Sequence, residues 1–188
     1  VYSETKLSKE LGISRTPLRD AVHRLAQEGY IDIIPSKGFM LHQMNRKDVN
    51  ETFQVRSALE TYCTVQISKA SSTRKAKKLF KELDWIMECM NDIMETTHSI
   101  KEFSEYDFQF HTKIIDYLEN EQFSNVFAMF MYRMKRLAEL SLAHKGRMEQ
   151  TYEEHMAILD CMNGDTSHIY EITLKHMETP RDINLEDL

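Results

Sequence analysis

Four side chains in the C-terminal part of this chain carry donor atoms of the types that could hold a metal ion. Asp107 and His111 stand four residues apart, so a helix projects both from one face, beside Phe103, Phe110, Ile114 and Ile115. His155 lies among Tyr152, Ile158 and Leu159, and His176 among Ile169, Ile172 and Thr173, each on an apolar helical stripe. One carboxylate and three imidazoles converging inside a bundle suit a divalent transition metal, zinc foremost, with nickel, manganese or iron as alternatives. Each residue also has an ordinary use. A histidine on an apolar face serves as a core side chain, and an Asp–His pair four apart as a helix-surface contact. His168 is excluded from the same ion, because about 12 Å of helix axis separates it from His176.

A second group could meet phosphates and base edges. Ser14-Arg15-Thr16-Pro17-Leu18-Arg19 opens a helix running to Gly29, with Leu18, Ala21, Val22 and Leu25 on its buried face and Arg15 and Arg19 opposite. Ser14 or Thr16 can cap the first turn, and Pro17 is tolerated there. Arginine and hydroxyl groups at a helix N-terminus offer donors to phosphate oxygens and to guanine O6 and N7. The solvated face of an amphipathic helix is the plain alternative.

The elements that position these residues follow. Ser3 to Leu11 reads as a short helix burying Leu7 and Leu11 and ended by Gly12. Ile31-Asp32-Ile33 and Phe39-Met40-Leu41 alternate as strands, joined by the turn Pro35-Ser36-Lys37-Gly38. Helix, turn, helix and a two-stranded wing make a winged helix-turn-helix. Beyond a linker at residues 44–47, amphipathic periodicity predicts six helices, roughly 47–70, 72–96, 99–119, 121–144, 147–162 and 166–179. Asp48, Ser71 or Ser72, Ser99 and Asp165 are candidate caps, and Pro180 a stop. The fold class is therefore mainly α. Residues 1–45 form a winged helix-turn-helix, and residues 46–188 an all-α antiparallel bundle.

The run Glu4…Leu7-Ser8…Leu11-Gly12-Ile13-Ser14-Arg15-Thr16-Pro17-Leu18-Arg19-Asp20-Ala21…Leu25…Glu28-Gly29-Tyr30 resembles the DNA-binding domain of the GntR family of bacterial regulators. That resemblance implies that Ser14, Arg15, Thr16 and Arg19 face duplex DNA, with Ser36, Lys37 and Gly38 at the wing. It also implies a helix before Glu4, which makes the domain as given N-terminally incomplete. Thr5 departs from relatives that carry a phosphate-holding arginine there. Residues 47–179 resemble the FCD effector-binding domain of the FadR branch, in its six-helix, VanR-like variety. The matching residues are Arg56-x-x-x-Glu60, Asp107-x-x-Phe110-His111…Asn120, Glu154-His155-x-x-Ile158-Leu159, Gly164-Asp165 and His176. The resemblance carries metal ligation to Asp107, His111, His155 and His176, and implies a small carboxylate effector held by a basic residue, Arg133 first and Arg56 second. It further implies a cytoplasmic homodimer reading a pseudo-palindromic operator. A metal-dependent enzyme and a structural or sensory metal site are the competing readings.

Composition bounds these expectations. The chain has 188 residues, 41% hydrophobic and 29% charged, which suits a folded globular protein and excludes wholesale disorder. No run approaches the roughly 18 apolar residues of a membrane span. Cys63, Cys89 and Cys161 are odd in number and scattered, which argues against a disulfide framework. The net charge of −6 is unevenly divided: residues 1–45 hold six Lys/Arg against five Asp/Glu, and the remainder 18 against 25. An acidic body does not prevent DNA binding where a basic face docks.

Overall fold

A computed structural model describes all residues, 1–188, as two compact units, Val1–Asn45 and Arg46–Leu188. The first contains α1 (Glu4–Leu11), α2 (Arg15–Gln27), β1 (Ile31–Ile34) and β2 (Gly38–Leu41). The strands pair antiparallel with Ile31 opposite Leu41 and Ile34 opposite Gly38. Gly12 takes the left-handed conformation that ends α1. The core is Leu18, Val22, Ile31 and Phe39, with Leu7, Ala26 and Tyr30 packed on it. The buried stripe of α2 is thus the ridge 18, 22, 26. Ala21 and Leu25 are exposed, as is Leu11, contrary to expectation. Two short strands cover only one such ridge. Before α1, Tyr2 pairs with Phe39 through hydrogen bonds of 2.7 and 3.0 Å.

The second unit contains α3 (Arg46–Lys69), α4 (Arg74–Glu95), α5 (Ile100–Asp116), α6 (Glu121–Met129), α7 (Met131–Leu142), α8 (Arg147–Asn163) and α9 (Ile169–Glu186). It has seven helices where the sequence predicts six. The long fourth helix breaks at Phe130, whose φ −99° and ψ 0° leave the helical well. Its N–H bonds back to Phe127 instead of continuing the ladder. Pro180 does not stop the last helix either. It lies buried inside α9, and Asn184 holds the continuation by donating to the Pro180 carbonyl at 2.7 Å and to Leu137 of α7 at 3.0 Å. Thr73, rather than Ser71 or Ser72, caps α4, and Ser99 caps α5 as expected. Asp165 caps the 3-10 turn Thr166–His168 that leads into α9. Asp48 sits inside the first turn of α3 and not before it.

α3 packs along α9, while α4 lies against α5 and α8. Between them is one apolar core that includes Ile67, Leu83, Met90, Phe103, Phe110, Ile114 and Ile158. No helix is long and apolar enough to cross a membrane.

Candidate functional site

Three helices of the second unit carry imidazoles to one point. The apolar residues that seat each helix in the core carry the histidine in with them: Phe110 and Ile114 beside His111, Ile158 and Leu159 beside His155, and Met177 beside His176. The Nε2 atoms of His155 lie 3.2 Å from those of His111 and His176, which are 3.3 Å apart. The Phe110 ring stacks flat on His155 at 4.2 Å between centroids and fixes its plane. Asp107 Oδ1 stands at the edge of this triad, 3.4 Å from His155 Nε2 and 3.8 Å from His111 Nε2. The four residues singled out by spacing therefore meet, with the histidines as the tight group. His168 lies on the 3-10 turn and outside it.

Two further carboxylates, unanticipated as partners of the rings, orient them. His111 Nδ1 lies 2.5 Å from Glu60 Oε2 of α3, off the ideal hydrogen-bond direction but in close ionic contact. His176 Nδ1 lies 2.7 Å from Glu154 Oε2. Each carboxylate is pinned by an arginine. Arg56 Nε donates to Glu60 at 2.8 Å, and Arg147 forks onto both oxygens of Glu154 at 3.0 and 2.8 Å. A carboxylate beside Nδ1 favours a proton there, which in a neutral ring leaves Nε2 as the ligand atom, and the Nε2 atoms of His111 and His176 are the ones that approach each other. Two lone pairs at that separation in a buried site repel unless a proton or cation stands between them.

The ionisation pattern follows from these contacts. Burial would raise the Glu60 carboxyl, but Arg56 and His111 hold it down at about 2. Burial likewise works against Asp107 and Glu154, yet neighbouring imidazoles and arginines keep both below the ordinary carboxylate range. Burial pushes His155 well down, helped by positive charge at His176, and pushes His176 down in spite of Glu154. His111 moves up: burial opposes its charge, but Glu60 and Asp107 outweigh that.

A divalent ion bonded at about 2.0–2.1 Å to imidazole nitrogens sets adjacent nitrogens about 3.0 Å apart in an octahedron and about 3.4 Å apart in a tetrahedron. The edges of this triad, 3.2 to 3.3 Å, fall between the two. Edge length, three converging Nε2 atoms and carboxylates behind two of the rings all fit such an ion.

Two cavities adjoin the cluster. One, about 10 Å³, is lined by Asp107, His111, Arg56, Ser104 and Lys135 among others. The second, about 20 Å³, reaches Asp107, His111, His176, Arg56, Ser141 and Arg147. Each has room for about one water molecule. Arg56 reaches both while remaining paired to Glu60. Arg133 reaches neither, and its Nη1 lies 3.3 Å from Asp48. The face that α7 turns inward is Met134, Ala138 and Ser141, and Arg133 is rotated about 100° from Met134.

In the first unit, Arg15 shares a surface hollow of about 270 Å³ with Ser3, Thr5 and the wing residues Ser36, Lys37 and Gly38. Ser14, Thr16 and Arg19 are exposed at the same N-terminal end of α2, and the Ser14 hydroxyl makes no capping bond. Arg19 Nε leans 3.5 Å from Glu4. Gly38 has a backbone role as well: at φ +125°, a Cβ there would fall 2.0 Å from the Tyr2 carbonyl oxygen.

A winged helix-turn-helix followed by an all-helical bundle defines a two-domain class of DNA-binding regulators. Residues 3–41 match the model for bacterial regulatory proteins of the gntR family, and residues 51–179 match that for the FCD domain. The chain belongs to the gntR family and carries an FCD domain. It is 26% identical over 194 residues to the gluconate operon transcriptional repressor of Bacillus licheniformis, spanning 100% of this chain and 71% of that protein. It is 24% identical over 158 residues to the HTH-type transcriptional regulator YdhC of Bacillus subtilis, covering 84% and 69%. A GntR regulator from Rhodococcus sp. RHA1 shares the fold with a TM-score of 0.71 over 99% of this chain and 85% of that one, at 11% identity. The metal-free FCD domain of another regulator aligns at 0.63 over 77% and 96%, at 18% identity. The chain is a DNA-binding transcriptional regulator and not an enzyme.

Proposed function

We propose that the bundle senses a small carboxylate through a divalent transition metal held by Asp107, His111, His155 and His176, and that occupancy tunes operator binding. The observation that carries this reading is the convergence of three imidazole Nε2 atoms within 3.2–3.3 Å of one another, with Glu60 behind His111 and Glu154 behind His176. When bound, the ion supplies positive charge and open coordination positions for an anion. Charge supports the same ligand class. Glu60, Asp107 and Glu154 face Arg56 and Arg147, which leaves one negative charge once the imidazoles are neutral, as ligation of an ion requires. A divalent ion turns that into one positive charge, and a monocarboxylate neutralises a buried site that tolerates no excess.

In this reading, Ser14, Arg15, Thr16 and Arg19 enter the major groove while Ser36 and Lys37 contact the backbone beside it. A homodimer acting as a repressor reads two half-sites about one helical turn apart. Effector and operator are coupled by about 1–3 kcal/mol, the usual range for such switches. The size of the two cavities favours a second reading, in which the ion is a closed structural element.

The test is His155→Ala in the full chain, with metal measured by elemental analysis and binding measured on duplexes selected from random sequence. The expected result is loss of metal, unchanged affinity without effector, and loss of any response to carboxylates. Unchanged metal content overturns the assignment. Unfolding of the wild type by chelator alone favours the structural reading.

A further inference from the structure

The first half of α4 carries five exposed cations, Arg74, Lys75, Lys77, Lys78 and Lys81, which together line an open hollow of about 610 Å³. At about 100° per residue, Arg74, Lys77, Lys78 and Lys81 fall within about 100° of arc, opposite the ridge of Ala76, Leu79, Phe80 and Leu83 that α4 buries in the core. Neighbours along this stripe are like-charged. Arg74 stands three and four positions from Lys77 and Lys78, and Lys81 three and four from Lys78 and Lys77. Like charges at those spacings destabilise a helix, as do cations at its N-terminus, where the backbone dipole is already positive. No acidic residue in the first turn relieves them. Lys75 pairs with Glu119 at 3.0 Å, and Lys78 reaches Glu82 at 3.7 Å, a carboxylate that Lys113 holds more closely at 2.7 Å. Arg74, Lys77 and Lys81 pair with no carboxylate. The surrounding unit has the opposite sign: outside these five cations, residues 46–188 hold 13 Lys/Arg against 25 Asp/Glu.

From this we infer that the α4 stripe is a second DNA contact, carried by the helical unit, which grips the phosphate backbone without reading sequence. The shape of the stripe selects the occupant. A small anion calls for convergent donors in an enclosed site, whereas these charges run in a line about 10 Å long on an exposed helix face. A duplex carries about one negative charge per 1.7 Å of axis, so about six phosphates pass along that length. Trp85, four positions beyond Lys81 in the same arc and 53% exposed, adds an indole N–H donor at the end of the line. The chain belongs to a family of DNA-binding regulators, so duplex DNA is the polyanion it meets. Binding on α4 requires neither a metal ion nor an acid in the histidine cluster.

The experiment measures binding of the chelator-treated full chain to a long random-sequence duplex as salt is raised. Wild type is compared with Arg74→Gln/Lys77→Gln/Lys81→Gln and with Lys101→Gln/Lys145→Gln/Lys175→Gln, which removes the same charge from exposed positions elsewhere on the unit. Losing three phosphate contacts is expected to reduce the slope of log K against log salt by about 2–3, and affinity at about 0.1 M salt by about tenfold or more, beyond the effect of the second variant. The stripe variant relieves repulsion within α4, so its Tm is expected to stay level or rise. Lysine acetylation of the wild type, read by mass spectrometry, is expected to show Lys77 and Lys81 shielded by the duplex while Lys101 and Lys145 are not. A stripe variant that matches the second variant in slope and affinity overturns the contact. So do Lys77 and Lys81 that react as fast with the duplex as without it, and neither result bears on the ion site.

Discussion

Glu154→Gln should weaken zinc binding about 10- to 100-fold, the usual cost of losing a partner behind a metal-binding histidine. The substitution keeps side-chain volume but changes what the two ends of the group can do. Glu154 now accepts three hydrogen bonds: one from His176 Nδ1 at 2.7 Å and two from the Arg147 fork at 3.0 and 2.8 Å. A glutamine has one accepting oxygen and one donating NH2. If the oxygen faces His176, the NH2 faces a guanidinium that also only donates. If it faces Arg147, two donors meet at His176 and the ring is driven to its other tautomer, with its proton on Nε2. Either way a buried bond is lost and Arg147 loses its counter-charge. The assay is competition for zinc against a chromogenic chelator at pH 7.5, with far-ultraviolet circular dichroism on the same samples. An affinity within twofold of wild type, in a folded protein, would refute the claim that Glu154 tunes His176.

Three further outcomes are expected. Gly38→Ala forces a Cβ to within 2.0 Å of the Tyr2 carbonyl oxygen and should cost the winged unit about 2–3 kcal/mol, read as faster amide exchange at Phe39. Arg19→Ala should lower specific duplex affinity by about 1–3 kcal/mol if the guanidinium reads a base, or reduce the salt slope by about 1 if it meets a phosphate. In chelator-treated protein, Tm should fall as pH is lowered. His155 and His176 have folded values below their ordinary 6.5, so their contribution is complete above 6.5 and shrinks below it; the raised His111 acts oppositely but is one against two. Glu60, at about 2 against an ordinary 4.5, adds a second loss as pH drops from 4.5 toward 2. A flat Tm between pH 7 and 4 would contradict this ordering.

The gathering of Asp107, His111, His155 and His176 was legible because each lies on an apolar helical stripe, and stripes converge in a bundle. Their orienting partners were not. Glu154 neighbours His155 in sequence yet serves His176, 22 residues away and on another helix. Glu60 offered a local signal, its spacing from Arg56, but nothing in the sequence ties it to His111. The break at Phe130 carries no glycine or proline, so periodicity runs through it. Pro180 misleads in the other direction, because the rule that proline ends a helix is local. Here burial of the ring and the bonds of Asn184 to two helices hold the rod together. In the first unit, counting apolar positions overestimates burial, since two strands shield only the 18, 22, 26 ridge.

α3 begins at Arg46, directly after the N-terminal unit ends at Asn45, and runs unbroken to Lys69. Glu60 therefore sits fourteen positions down a continuous rod, about 21 Å from its start. A tilt of about five degrees pivoting at Glu60 would swing the beginning of that rod through about 2 Å. A displacement at Glu60 that tilted α3 would therefore be larger at the first residue of the helix than at the imidazole it touches, with no need for any helix to unfold.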